Sequence, residues 1–198
     1  MKVTILGCGT SGGVPRVGND WGDCDPANPK NNRRRVSILV EHQDTVVLVD
    51  TSPDMRAQCL DAGVTRLDAV LYTHDHADHT HGIDELRPLV YRNRKEIPVY
   101  GNAETLTTLE RRFDYAFAPK SEYFRPFVSA RTIDGPLTVG TVPVVPFEQL
   151  HGDKSSFGFR FGPHFGLFFE KRYSLRALGA FCLARSLPII SHNIYYAY

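Results

Sequence analysis

One short segment constrains this chain more than any other: the pattern His74-x-His76-x-Asp78-His79. It follows directly on the apolar run 67–72, which predicts a β-strand. Neutral imidazole is a ligand for Zn, Fe and Mn, and a carboxylate adds a hard oxygen ligand. Because the strand holds the following loop in a structured place, we interpret the segment as metal-ligating rather than as a solvated histidine-rich loop.

The spacing within the motif predicts two metal ions. His74 and His76 lie two residues apart, so an extended backbone places both on one side. Asp78 and His79 follow a turn of the chain and can serve a second metal nearby. Two divalent ions about 3.5–4 Å apart would hold a bridging hydroxide, because metals lower the pKa of bound water towards about 7. Asp78 is the candidate catalytic residue, since it can both ligate a metal and orient that hydroxide.

The apolar runs along the chain predict an α/β layered domain. Predicted strands are 2–6, 36–40, 45–49, 67–72, 98–100, 141–150 and 157–161, and predicted helices are 53–62, 81–90 and 103–113. Ser52 followed by Pro53 marks the start of the first helix, and Gly63 marks its end. Strand pairs interleaved with helices are typical of layered α/β domains.

Composition narrows the function classes. The 198 residues suffice for one domain, and 23 basic against 22 acidic residues give no global reason to expect nucleic-acid or membrane-surface binding. The four cysteines form no C-x-x-C pair, so we expect no disulfide scaffold. The N-terminal apolar stretch 3–6 is too short for a signal peptide, and no run approaches the roughly 18 apolar residues of a membrane span. A cytoplasmic location is the expectation.

The segment Thr73–His79, placed after a strand, resembles the signature of the metallo-β-lactamase-fold hydrolases. Other segments resemble the phosphoribosyl 1,2-cyclic phosphate phosphodiesterase branch of that family: 7–15, 25–26, 33–37, 50–56 and 82–87. The resemblance covers residues 1 to about 162. It implies an αββα sandwich, which we expect to be incomplete in its C-terminal half, and a hydrolase domain over 1–162. The tail over 163–198 is atypical and does not match the family.

The resemblance also implies two sets of ligands for divalent Zn or Mn ions: His74, His76 and His151 for the first ion, and Asp78 and His79 for the second. His151 stands at the end of the predicted strand 141–150, as the family's third histidine does. Asp50, at the end of a buried strand, would be a carboxylate that orients the ligands. An aspartate that caps the following helix is the alternative interpretation of Asp50.

Two further residues are candidates for substrate contacts. Ser11 lies in the glycine-rich turn, and His81 follows the metal motif closely. A position on a helix surface is an equal alternative for His81. The arginine run 33–35 suits phosphate oxygens, although charge runs are more often solvated. Because the run adjoins a strand, we expect one of its arginines to point inward to an acid.

The tail departs from the family's pattern. The family supplies a bridging aspartate well after the third histidine and a final histidine near its end. Here Asp153 is too close to His151 for the bridging role, and three other candidates lack a matching context: His164, Glu170 and His192. We therefore expect that the reading frame is truncated or shifted after about residue 162, which would leave the second metal site incomplete. A buried terminal helix is the alternative.

The leading hypothesis is a dinuclear metal hydrolase that acts on a cyclic or nucleotide-like phosphodiester. The choice of phosphodiester rests on the branch resemblance, since one fold hosts many reactions. One alternative is a tRNA 3′-processing nuclease or a relative from pyrroloquinoline quinone biosynthesis, and another is a catalytically impaired fragment. The expected partner is the small phosphodiester substrate. No membrane and no stable nucleic-acid partner is expected, and a homodimer is left open.

Overall fold

The computed structural model describes residues 1–119, 122, 125–152, 154–162 and 165–167, the last three by their backbone alone. Within these residues the strands are β1 (Lys2–Gly7), β2 (Ser37–His42), β3 (Thr45–Val49), β4 (Ala69–Leu71), β5 (Ile97–Gly101), β6 (Val128–Thr132), β7 (Leu137–Val139), β8 (Val142–His151), β9 (Lys154–Phe161) and β10 (Phe165–Leu167). The α-helices are α1 (Met55–Asp61), α2 (Ala77–Thr80), α3 (Leu86–Asn93), α4 (Ala103–Arg112) and α5 (Asp114–Phe117), and two 3₁₀ turns span Pro29–Asn31 and Ile83–Glu85.

The strands form two sheets. The first has the order β1-β2-β3-β4-β5-β6, with β1 to β3 antiparallel and β3 to β6 parallel. The second is antiparallel with the order β10-β9-β8-β7. Parallel neighbours need crossover connections, and the helices α1 to α5 lie in these connections. The carboxyl ends of β3 and β4 therefore open at the same edge of the first sheet.

Alternating side chains on the first sheet build two apolar cores, one on each face. Leu48 on β3 packs with residues of the helices, whereas its neighbours Val47 and Val49 pack with residues of the second sheet. The partners on the second sheet include Phe157 and Phe159 of β9. The layers are thus helices, first sheet and second sheet, which confirms the predicted α/β class.

The predicted helix over 81–90 is wrong in its bounds. The chain forms α2 inside the metal motif, then a 3₁₀ turn at Ile83–Glu85, then α3. Gly82 separates these pieces because it packs against the backbone after β3. A Cβ atom on Gly82 would lie 2.1 Å from the carbonyl oxygen of Ser52, so no side chain fits there.

This close approach ties the motif to the end of β3. The amide of Gly82 donates to the carbonyl of Thr51 at 2.9 Å, and the amide of Thr51 donates to the carbonyl of His79 at 2.8 Å. The short helix α2 is therefore held by backbone bonds from a neighbouring strand end. A continuous helix would break this contact.

Helix α1 begins at Met55, later than its predicted start at Pro53. Asp54 stands just before it and accepts three hydrogen bonds from Arg35: from the backbone amide at 2.8 Å, from Nε at 2.9 Å and from Nη2 at 2.7 Å. This confirms the prediction that one arginine of the run 33–35 turns inward to an acid. The hydrogen bonds from Arg35 outweigh burial and hold the pKa of Asp54 below its ordinary value.

The variant Asp54→Asn is expected to lose about 1.5–3 kcal/mol of unfolding free energy at pH 7, because hydrogen bonds to a charged partner are lost. A lowered folded-state pKa gives stability that is complete above the unfolded value, about 3.9, and disappears as the pH falls through the folded value. The difference in unfolding free energy between wild type and Asp54→Asn should therefore shrink below about pH 4 in denaturant titrations. The matched control is Asp61→Asn, whose exposed pairing with Arg34 predicts a change below about 0.5 kcal/mol. A difference in unfolding free energy that persists below about pH 4 would contradict a stabilising role of the ionised Asp54 carboxylate.

Three cysteines lie in the described part of the chain, and all three are free thiols: Cys8, Cys24 and Cys59. Burial raises the pKa of the Cys59 thiol to about 11. In the same part of the chain, no helix combines the length and apolar character needed to cross a bilayer. Apart from the backbone of β10, the tail 163–198 lies outside the described residues, as does Asp153.

Candidate metal centre

The metal motif occupies the loop that leaves the carboxyl end of β4. Just before the motif, the amide of Tyr72 donates to the carbonyl of Tyr100 on β5 at 2.7 Å. The carbonyl of Thr73 then accepts from the amide of Phe157 on β9 at 2.8 Å. Both sheets therefore hold the point from which the motif starts, and the loop leaves it in a defined direction.

Three imidazoles converge above this point. One ring nitrogen from each of His74, His76 and His151 lies within 4.8 Å of the other two. Nε2 of His151 is 3.3 Å from Nδ1 of His76. His74 is buried, His151 is half-buried and His76 is exposed, so the cluster opens to solvent on one side. The structure thus brings together the three residues that the family resemblance assigned to a first metal.

Hydrogen bonding determines which nitrogen of His74 carries the proton. The hydroxyl of Thr73 lies 2.8 Å from Oδ2 of Asp50 and 2.9 Å from Nδ1 of His74. A carboxylate only accepts, so the single hydroxyl proton goes to Asp50. The hydroxyl oxygen must then accept from Nδ1–H of His74. Nε2 of His74 is left with a free lone pair.

That Nε2 atom is buried and has no hydrogen-bond partner among the described residues. A buried acceptor left unpaired costs free energy, and structures seldom retain one without a reason. Burial, reinforced by the nearby rings of His79, His76 and His151, lowers the pKa of His74 to about 2, so the ring is neutral. A neutral imidazole nitrogen beside two others is the donor set that a divalent cation takes, and the residues fit a metal ion.

His79 lies between two carboxylates. Its Nδ1 is 2.7 Å from Oδ2 of Asp50, and its Nε2 is 3.4 Å from Oδ2 of Asp78. Burial alone would lower the pKa of His79, but the two carboxylates outweigh it and raise the pKa to about 10. The ring therefore holds a proton on each nitrogen at neutral pH. A metal ligand must be deprotonated, so a cation here would take the place of the proton on Nε2.

Asp50 is fully buried at the end of β3 and turns its carboxylate towards the motif. Oδ1 accepts from the amide of Thr73 at 2.8 Å, and Oδ2 accepts from the Thr73 hydroxyl and from His79. The alternative interpretation of Asp50 as a helix cap does not hold, since Asp54 stands at the N-cap of α1. The backbone of Asp50 has φ +59°, a left-handed conformation that Asp adopts more readily than most residues.

Sequence reasoning missed Asp75, the residue between the first two histidines. It is 4% exposed, and both its carboxylate oxygens lie 3.2 Å from Nζ of Lys154. Arg112 of α4 donates to its carbonyl oxygen. Burial would raise the pKa of Asp75, but the hydrogen bond and charge of Lys154, together with Arg112, hold it below its ordinary value. A usable signal was Lys154, which follows closely after His151 and precedes the predicted strand 157–161.

The two residues predicted to contact the substrate, His81 and Ser11, lie in different surroundings. His81 ends α2 on the surface, with its ring edge-on to Phe113 at a centroid distance of 5.4 Å. Ser11 is exposed in the glycine-rich turn, and within the described residues no hydrogen bond joins it to the histidine cluster. A contact of either residue with a substrate stays a prediction.

One family model and several known proteins match this chain. The family model described as the beta-lactamase superfamily domain matches residues 45–176. The octanoyltransferase of Porphyromonas gingivalis (strain ATCC BAA-308 / W83) is 34% identical over 165 residues, which are 82% of this chain and 33% of that protein. The ribonuclease Z of Bradyrhizobium sp. (strain ORS 278) is 29% identical over 141 residues, 67% of this chain and 46% of that protein. The chain thus spans less than half the length of these relatives.

A crystal structure described as a new diphosphatase from the PhnP family superimposes with a TM-score of 0.72 at 35% sequence identity. The superposition covers 81% of this chain and 61% of the diphosphatase chain. At this level of identity and overlap, the two chains share the fold built above from two sheets and a layer of helices. The chain has the metallo-β-lactamase fold and belongs to the beta-lactamase superfamily.

Proposed function

We propose that this chain carries the metal centre of a hydrolase that cleaves a phosphorus–oxygen bond in a small phosphodiester or nucleotide-like substrate. The observation that carries the proposal is the convergence of His74, His76 and His151, together with the buried Nε2 of His74 that no described residue satisfies. Such a triad, open on one side, is a site for a divalent cation rather than a packed core.

In this proposal the three histidines hold one divalent ion, and Asp78 and His79 hold a second. Imidazole nitrogens with a carboxylate suit zinc or manganese. When bound, the ions would polarise a phosphoryl oxygen and lower the pKa of a water molecule. Asp78, half-buried at the edge of the cluster, is the hydrogen-bond acceptor that would orient the attacking water.

The surrounding residues prepare the ligands by holding protons in place. The hydroxyl of Thr73 keeps the proton of His74 on Nδ1, and Asp50 keeps a proton of His79 on Nδ1. Both imidazoles can then present Nε2 lone pairs to a cation. Such outer partners orient ligating histidines and raise their basicity.

The relatives support the choice of substrate class. A diphosphatase with 35% identity and a ribonuclease Z relative both favour a phosphorus–oxygen bond over a lactam amide as the bond that is cleaved. The octanoyltransferase relative supports no proposal of acyl transfer, because this chain matches only 33% of that protein.

The proposal is tested by metal analysis followed by a substrate comparison. We expect the purified protein, dialysed against Zn²⁺ or Mn²⁺, to retain metal and to hydrolyse bis(p-nitrophenyl) phosphate or a 2′,3′-cyclic nucleotide. Activity should disappear with EDTA and return with the metal. Protein that retains no metal, or that cleaves only a β-lactam, would contradict the proposal. Cleavage of a tRNA precursor without turnover of small diesters would favour the nuclease instead.

A further inference from the structure

We propose that the ion pair between Asp75 and Lys154 is a clamp that positions His151 against the other two histidines. The inference rests on the proposed metal centre, but it concerns two residues that are not ligands. His151 and His76 are 75 positions apart in sequence: His76 lies in the loop after β4 of the first sheet, and His151 ends β8 of the second sheet. Their approach requires a contact that holds the end of the β8–β9 hairpin beside the motif loop.

Lys154 is placed to make that contact by strand pairing. In the antiparallel pair β8–β9, the register sets His151 directly opposite Lys154. Side chains of directly opposed residues stand on the same face of a sheet, with Cβ atoms about 4.5–5.5 Å apart. The ammonium of Lys154 and the imidazole of His151 therefore reach the motif loop from adjacent positions.

Asp75 is the matching group on the loop. It stands between His74 and His76, and the ammonium of Lys154 lies 3.2 Å from both of its carboxylate oxygens. The Asp75 side chain is 5% exposed, so its charge depends on protein partners. Arg112 contributes less to the carboxylate, with Nη2 at 3.7 Å from Oδ2, and mainly holds the backbone carbonyl.

The clamp sits at the same end of the hairpin as His151. The backbone bond between the two elements, from Phe157 to Thr73, lies farther along β9. Without the ammonium of Lys154, the hairpin end loses its ion pair with Asp75 of the loop, while the rest of the sheet remains paired. The third imidazole would then be less well placed. Mutation of groups that orient metal ligands typically costs about 10–100-fold in metal affinity, and we expect a loss in the same range here.

The test is a Co²⁺ titration of metal-free protein, followed by visible absorption and by competition with a chelator. We expect Lys154→Met to bind Co²⁺ about 10–100-fold more weakly, with an altered absorption spectrum. Lys154→Arg should recover most of the affinity, since it restores a cation. Glu104→Gln is the matched control: Glu104 is exposed and lies 3.8 Å from the same ammonium, so the variant's affinity for Co²⁺ should equal that of wild type.

A double-mutant cycle adds a second criterion. Asp75→Asn should weaken Co²⁺ binding by itself, and Asp75→Asn combined with Lys154→Met should weaken it no further, because both remove the same contact. Additive losses would overturn the clamp, as would wild-type affinity in Lys154→Met or equal losses in Lys154→Met and Lys154→Arg. Wild-type protein that binds no Co²⁺ would overturn the metal centre itself, which separates the two proposals.

Discussion

Replacing His76 by alanine is expected to remove tight metal binding and to lower phosphodiester turnover by about a thousandfold or more. His76 is the exposed member of the triad, and its Nδ1 lies 3.3 Å from Nε2 of His151. Without it, two imidazoles remain where a catalytic zinc ion takes three protein ligands. The activation of water by the ion is then lost, and this accounts for most of the expected loss of rate.

The fold should survive this change because an exposed side chain contributes little to the core. The melting temperature of the metal-free variant should therefore match that of metal-free wild type. His42→Ala is the matched control, since His42 lies at the far end of β2 from the site and pairs with Thr45. For both variants, elemental analysis measures the bound metal and kcat/KM measures phosphodiester turnover. Full activity in His76→Ala would exclude the metal mechanism.

Asp50→Asn is expected to lower metal affinity about 10–100-fold and turnover by at least as much, with little change in fold. Asparagine has the same shape and accepts the left-handed backbone that Asp50 adopts at φ +59°. Its amide nitrogen, however, can only donate. In the wild type, Oδ1 of Asp50 accepts from the backbone amide of Thr73, and Oδ2 accepts from both the Thr73 hydroxyl and Nδ1–H of His79. An amide has only one accepting oxygen, so it cannot accept at both positions.

The Asp50→Asn variant therefore forces a change of tautomer. If the oxygen of the introduced amide stays on the backbone amide of Thr73, the amide nitrogen takes the place of Oδ2 and donates to Nδ1 of His79. The His79 ring then loses its Nδ1 proton and keeps the proton on Nε2, the atom needed as a ligand. A carboxylate-to-amide change behind a catalytic histidine acts through the wrong tautomer in this way. Nitrogen NMR of labelled histidine reports the tautomer directly, and Co²⁺ titration reports the affinity. Asp54→Asn, which removes a carboxylate outside the site, should leave both unchanged.

Sequence patterns predicted most strands around the site because each has its own apolar run. The central strands β3 and β4 lie within the predicted ranges 45–49 and 67–72. The predicted helix bounds were wrong where a contact between residues distant in sequence overrides local helix propensity. Gly82 meets the carbonyl of Ser52, which belongs to another part of the chain, and the helix predicted over 81–90 breaks there.

The candidate site likewise combines residues that the sequence predicted with residues whose roles only the structure revealed. The local spacing of His74, His76, Asp78 and His79 after a strand identified the ligand types directly. His151 came only from resemblance, because a single histidine after a strand carries no signal of its own. The roles of Asp50 and Thr73 in holding imidazole protons required the hydrogen-bond distances, and the pairing of Asp75 with Lys154 was not foreseen.

By itself, the sequence determined the α/β class, the strand before the motif and a concentration of metal-ligating side chains at residues 74–79, because short-range spacing and periodicity encode these features. Only the tertiary structure decided that His151 meets His76, that Asp50 lies behind His79 and that Lys154 pairs with Asp75. The physical reason is that these contacts join separate strand ends. Their approach depends on how two sheets pack through shared apolar faces, and local sequence does not encode that packing.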